Sequence, residues 1–121
     1  MVKQSEIPKR GEVFLINFDP AVGTEIKKTR PALILQNDIS NEYSPITIVA
    51  AITTQFDTTL YPTEVLIHPP EGGLKKDSVV LLNQIRAIDK QRLIKRLGLL
   101  KPDTMKKIDT ALQISFGLIE I

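Results

Sequence analysis

From Asp19 to Pro31 the chain reads Asp-Pro-Ala-Val-Gly-Thr-Glu-Ile-Lys-Lys-Thr-Arg-Pro, a stretch whose side chains suit a phosphate-bearing partner. Gly23 offers a backbone position without a side chain, Glu25 a carboxylate, and Lys27, Lys28 and Arg30 the cations beside it. Pro31 biases the residue before it toward an extended backbone and so fixes where the Arg30 guanidinium leaves the chain. A solvated loop would carry similar charges, so the stretch needs partners elsewhere before it means catalysis. Thr53, at the end of an apolar run, could donate a hydrogen bond to the same phosphate. Gln84 and Arg86, two residues apart on a long strand, share one of its faces.

Other chemistries are poorly supplied. His68 is the only histidine and cysteine is absent, which leaves a two-histidine nuclease site, a zinc site and disulfides without their residues. No phosphate-binding glycine motif or serine nucleophile motif occurs, and the carboxylates lack the clustering of a two-metal centre. What remains can still cleave RNA, because RNA brings its own nucleophile, the 2′-OH. The protein need only orient the ribose, meet the charge on phosphorus and help protons move. Arg30 could grip the non-bridging oxygens as a fork, and Glu25 is a candidate general base.

The elements that must position these groups are short. Apolar, β-branched runs predict strands at Glu12 to Phe18, Ala32 to Gln36, Thr47 to Ile52, Thr63 to Ile67, Ser78 to Ile88 and Leu93 to Leu100. Asp19 to Pro31 and Asn37 to Pro45 read as loops. So does Gln55 to Pro62, whose aromatics would more readily plug a barrel end than stack on bases. Residues 68–73 read as a turn. Spacings of three and four over Met105, Ile108, Leu112, Ser115 and Ile119 predict a helix from Pro102 to Ile119 that Gly117 would weaken, bringing its end near Phe116. Strands followed by one closing helix imply a mainly β fold, a small SH3-like barrel in a single domain, 1–121, with 1–9 as a mobile arm.

The 121 residues carry a net charge of +2, unevenly spread. Pro31 to Leu74 holds five acids and no Lys or Arg, whereas Arg86 to Lys107 holds eight bases against two acids. That asymmetry hints at a polyanion or an acidic protein as partner. No apolar run spans a bilayer and Met1 to Arg10 is too polar for a signal peptide, so the expected location is the cytoplasm.

Arg10-Gly11-Glu12-Val13, Gly23-Thr24-Glu25, Arg30-Pro31-Ala32-Leu33-Ile34, Gln36-Asn37-Asp38, Val49-Ala50-Ala51-Ile52-Thr53, Asp77-Ser78-Val79 and the run from Gln84 to Leu93 occur together and in order. From about Arg10 to Ala111-Leu112-Gln113-Ile114-Ser115 the chain thus resembles the MazF/PemK toxin endoribonucleases, the Gram-positive branch most of all. The resemblance implies a CcdB/PemK-type barrel that works as a homodimer and cuts single-stranded RNA at short sequences without metal or cofactor, leaving a 2′,3′-cyclic phosphate and a 5′-OH. It also implies a cognate antitoxin whose acidic C-terminal segment covers the site. By the same resemblance Arg30 and Thr53 are catalytic and Glu25 is the loop glutamate. Gly23, Thr24, Lys28, Gln84 and Arg86 then lie on the RNA-binding side. Between Glu25 and Arg30 relatives usually carry small residues, where this chain has Ile26-Lys27-Lys28-Thr29. A gyrase-poisoning toxin shares the fold but is associated with a Trp-Gly-Ile ending, which Gly117-Leu118-Ile119-Glu120-Ile121 lacks. A catalytically silent binding relative is a third reading.

Overall fold

Runs of Val, Ile, Leu and Phe without polar alternation fit strands that are covered on both faces, and the central strand Ile46–Thr53 is buried that way, whereas the edge strand Leu93–Leu99 is largely exposed. The computed structural model describes residues 7–121. Strands β1 (Glu12–Asn17), β2 (Thr29–Ile34), β3 (Ile46–Thr53), β4 (Glu64–Ile67), β5 (Ser78–Asp89) and β6 (Leu93–Leu99) form one antiparallel sheet in the order β4-β5-β3-β2-β1-β6. Two helices join it, α1 (Asp38–Tyr43) after β2 and α2 (Pro102–Ser115) at the end. No described helix is long and apolar enough to cross a membrane.

Alternate residues of the central strands feed two cores. Val13, Leu33, Ala50 and Ile52 join Val65, Ile67, Val80 and Leu82 with Ile108 and Ala111 of α2. Phe14, Ile16, Ala32, Ile34, Val49 and Ala51 join Phe18 and Ile88 on the other face. Each large side chain so buried contributes about 1.5–3 kcal/mol. Because Val13 of β1 and Val65 of β4 share the first core, the sheet must curl until its two ends approach each other.

The curl does not close by hydrogen bonding. β4 and β6 are both edges, and a short 3-10 turn, Glu71–Gly73, bridges the gap between them. Its backbone packs directly on β6: a Cβ on Gly98 would lie 2.5 Å from the Gly72 carbonyl carbon, and one on Gly73 2.0 Å from the Leu97 oxygen. The expected barrel is therefore an open, curled sheet stitched by a glycine contact. Mainly β architecture with a C-terminal helix is as expected.

Several boundaries differ from expectation. β2 begins at Thr29 rather than Ala32, so Arg30 and Pro31 are strand residues. The segment read as a loop at Asn37 to Pro45 contains α1, which Asn37 caps by accepting from the Ser40 amide at 2.9 Å. Residues 1–6 of the expected arm lie outside the described residues. Ile7 to Lys9 are not loose: Pro8 is buried, and the Lys9 amide donates to Glu12 Oε1 at 2.6 Å. Helix α2 ends at Ser115. Gly117, at φ 72°, reverses the chain while the Leu118 and Gly117 amides return to the Gln113 and Ile114 carbonyls.

Candidate active site

Pro31 gives no amide to a ladder, and β2 is arranged around that lack. On one side β1 accompanies it to Asn17↔Thr29. On the other, pairing with β3 stops at Ala32↔Ala51. Carried two residues further, that register puts Arg30 opposite Thr53, on the face where Ala32 and Ala51 enter the second core. The arginine and threonine thus lie just past the last rung of that ladder, on one face of the sheet.

Both side chains are held without being used up. Arg30 is half-buried, and its Nε donates to the Lys27 carbonyl at 2.8 Å. Its Nη groups meet no hydrogen-bonding or ionic partner among the described residues. Thr53 is 7% exposed. Its Oγ1 accepts from the Gln55 amide at 3.0 Å and donates to the Gln55 carbonyl at 3.4 Å, a long bond that a ligand oxygen could replace.

The β1–β2 loop folds over this side of the sheet. Its base is tied by Phe18 N donating to the Lys28 carbonyl at 3.0 Å and by Lys28 N donating to Asp19 Oδ1 at 2.9 Å. Lys28 takes a left-handed backbone, φ 70°, to make those contacts. Arg86 Nη1 donates to the Phe18 carbonyl at 2.7 Å, and Arg92 donates to the Asn17 and Asp19 carbonyls. At the tip, Glu25 Oε1 accepts from the Val22 amide at 2.7 Å, while Glu25 N donates to the Val22 carbonyl at 3.1 Å. Gly23, at φ 59°, and exposed Thr24 complete that turn, and nothing lies within 4 Å of a Cβ built on Gly23. Ile26 is pressed into the second core, and Gln84 touches the backbone on either side of Glu25.

Arg30, Thr53, Gln84 and Arg86 and the loop bearing Gly23, Thr24, Glu25 and Lys28 therefore belong to one side of the molecule. Two residues missing from that set are Phe56 and Tyr61 in the β3–β4 connection. Expected to plug a barrel end, they are 38% and 69% exposed, and with Asp57, Thr58 and Thr59 they line a depression just beyond Thr53. Chain proximity to Thr53 was the signal available for them. Among the described residues no three His, Cys, Asp or Glu side chains gather as a metal would need.

A curled antiparallel sheet with a closing helix is the architecture of toxins of known structure. The chain superposes on an endoribonuclease from a mycobacterial species, solved with its cognate antitoxin, with a TM-score of 0.78 and 29% identity, covering 94% of this chain and 99% of that one. MazF from Deinococcus radiodurans gives a TM-score of 0.79 at 26% identity, with 92% and 97% covered. The chain belongs to the family of PemK-like, MazF-like toxins of type II toxin–antitoxin systems, whose pattern it matches over residues 9–116. It is also 49% identical to the endoribonuclease EndoA of Bacillus subtilis (strain 168) over 114 residues, 94% of this chain and 98% of that protein.

Proposed function

We propose that this toxin is an endoribonuclease that cuts single-stranded RNA at its Arg30–Thr53 cleft, without a metal ion. The observation that supports this most is that the β2–β3 register, continued past its last pair, sets Arg30, whose Nη groups have no partner among the described residues, opposite Thr53, whose hydroxyl donates only a long bond to the Gln55 carbonyl. A scissile phosphate lodged there would meet a charged fork and a neutral donor. Both strengthen as negative charge grows on the phosphoryl oxygens.

In the reaction the RNA 2′-oxygen attacks phosphorus as the bond to the 5′-oxygen breaks. The products are a 2′,3′-cyclic phosphate and a 5′-OH. Glu25 keeps one carboxylate oxygen on the Val22 amide, and the other is available to take the 2′-OH proton. A guanidinium does not give up its proton in proteins, so the leaving 5′-oxygen draws its proton from solvent. No metal is needed because substrate supplies the nucleophile and Arg30 the charge. Gly23, Thr24 and Lys28 in the loop and Gln84 and Arg86 beneath it line the path of the strand, and the exposed rings of Phe56 and Tyr61 offer stacking faces to its bases. Only unpaired bases can stack so, hence the preference for single strands.

The antitoxin complexes of structural relatives support a cognate antitoxin for this chain as well. An acidic segment lying over Arg30 and the loop cations would block the cleft. The exposed apolar residues Phe116, Leu118 and Ile119 beyond α2 support a homodimer, and the cytoplasm is where transcripts are met. The test uses full-length toxin freed of antitoxin, offered one RNA as single strand and as duplex, with and without EDTA. Cutting of the single strand alone, unchanged by EDTA, with 5′ ends that a kinase labels directly, is expected. Intact RNA, or gyrase-trapped DNA breaks in its place, refutes the proposal.

A further inference from the structure

Gln84 sits at a break in the register of the longest strand. β3 pairs with β5 as Ala50↔Ile85 and next as Ala51↔Leu81, so Leu82, Asn83 and Gln84 bulge from the ladder. A bulge re-aims side chains that regular pleating would send elsewhere. Here the Gln84 carboxamide meets the β1–β2 loop, its Oε1 accepting from the Ile26 amide at 3.3 Å and its Nε2 donating to the Thr24 carbonyl at 3.5 Å. One planar group thus satisfies a donor and an acceptor two residues apart, as a neighbouring strand would.

The loop has little else to fix its tip. Arg86 and Arg92 hold the carbonyls of residues 17–19 at its base, and among the described residues the Val22–Glu25 turn has no hydrogen bond beyond its own and the one from Gln84. Ile26 is pressed against the second core, but an apolar contact has no preferred direction. The two amide bonds supply that direction. Both are long, so the hold is firm enough to bias the tip and weak enough to release it.

Resting on the nuclease reading above, we infer that Gln84 is a positioning residue. It sets the loop over the Arg30–Thr53 cleft before RNA arrives, and through the loop it narrows the sequences that can be cut. A group that only touches RNA would leave the free loop indifferent to its removal.

The experiment compares wild type, Gln84→Ala and Gln84→Glu as full-length toxin without antitoxin. Amide hydrogen exchange is measured in the absence of RNA, and 5′ ends are mapped after digestion of a mixed RNA pool. Gln84→Ala is expected to speed exchange at Ile26 by ~5-fold, the weight of one ordinary hydrogen bond. It should spread cleavage over more sequences and lower kcat with KM little changed. Gln84→Glu keeps the acceptor for Ile26 and loses the donor for Thr24, so it should fall between. Unaltered Ile26 exchange in both variants overturns the inference whatever the cut pattern does. Faster exchange with an unaltered cut pattern overturns it too. If wild type cuts no RNA, the nuclease reading falls; if wild type and Gln84→Ala select the same sites, only this inference does.

Discussion

Replacing Arg30 separates charge from geometry at the proposed cleft. Arg30→Ala removes one hydrogen bond, Nε to the Lys27 carbonyl at 2.8 Å, and no ion pair among the described residues. That loss costs about 1 kcal/mol of folding stability, against the 5–15 kcal/mol typical of a domain, so the variant should remain folded. The reaction should suffer far more. Taking away one preorganised donor at a developing oxyanion costs about 2.7–4 kcal/mol, or a factor of ~10² to 10³ in rate. Arg30→Lys keeps the charge but has neither the fork nor the Nε tether, so it should lie between alanine and wild type. The assay is single-turnover cleavage of a short single-stranded RNA, with circular dichroism to show that both variants are folded. A folded Arg30→Ala within threefold of wild type refutes the catalytic role. Arg30→Lys equal to wild type would show that the fork is immaterial.

Other substitutions probe the neighbouring parts. Thr53→Val keeps shape and strand preference but removes the hydroxyl, and single-turnover cleavage should slow about 10²-fold, while Thr53→Ser stays near wild type. Glu25→Gln preserves an oxygen for the Val22 amide and loses the base, so the rate should drop about 10²-fold with the loop's amide exchange unchanged. Tyr61→Ala, at an exposed ring, should weaken binding of single-stranded RNA by about 1–3 kcal/mol in a titration and leave the melting temperature alone. Gly98→Ala drives a Cβ to 2.5 Å from the Gly72 carbonyl carbon, so denaturant unfolding should show a loss of about 1–3 kcal/mol.

The sequence spoke clearly where local physics decides. β5 announced itself through Val79, Val80, Leu81, Leu82, Ile85 and Ile88, and α2 through Pro102 at its start and Gly117 past its end. It was silent on α1, whose six residues are too few to show a period, although Asn37 followed by Asp38 is a capping signal in hindsight. The place of Phe56 and Tyr61 was not legible, because composition cannot tell a ring that fills a barrel end from one left at the surface. The hold of Gln84 on Thr24 and Ile26 joins residues about sixty positions apart, and no local pattern encodes such a contact.

Pro31 shows how one residue can be legible in effect and misread in place. Its bias on the preceding backbone was expected to aim Arg30 from the end of a loop. In the folded chain both residues lie within β2, paired to β1 through Leu15↔Pro31 and Ile16↔Arg30. The missing amide matters more than the bias, because the ladder to β3 gives out at Ala32 and leaves the next rung of that side unzipped. Had that position carried an ordinary residue, β2 and β3 could have paired on toward Arg30 and Thr53. On the reading proposed above, a ladder that stops early is what would leave room for a phosphate beside these two strand-borne side chains.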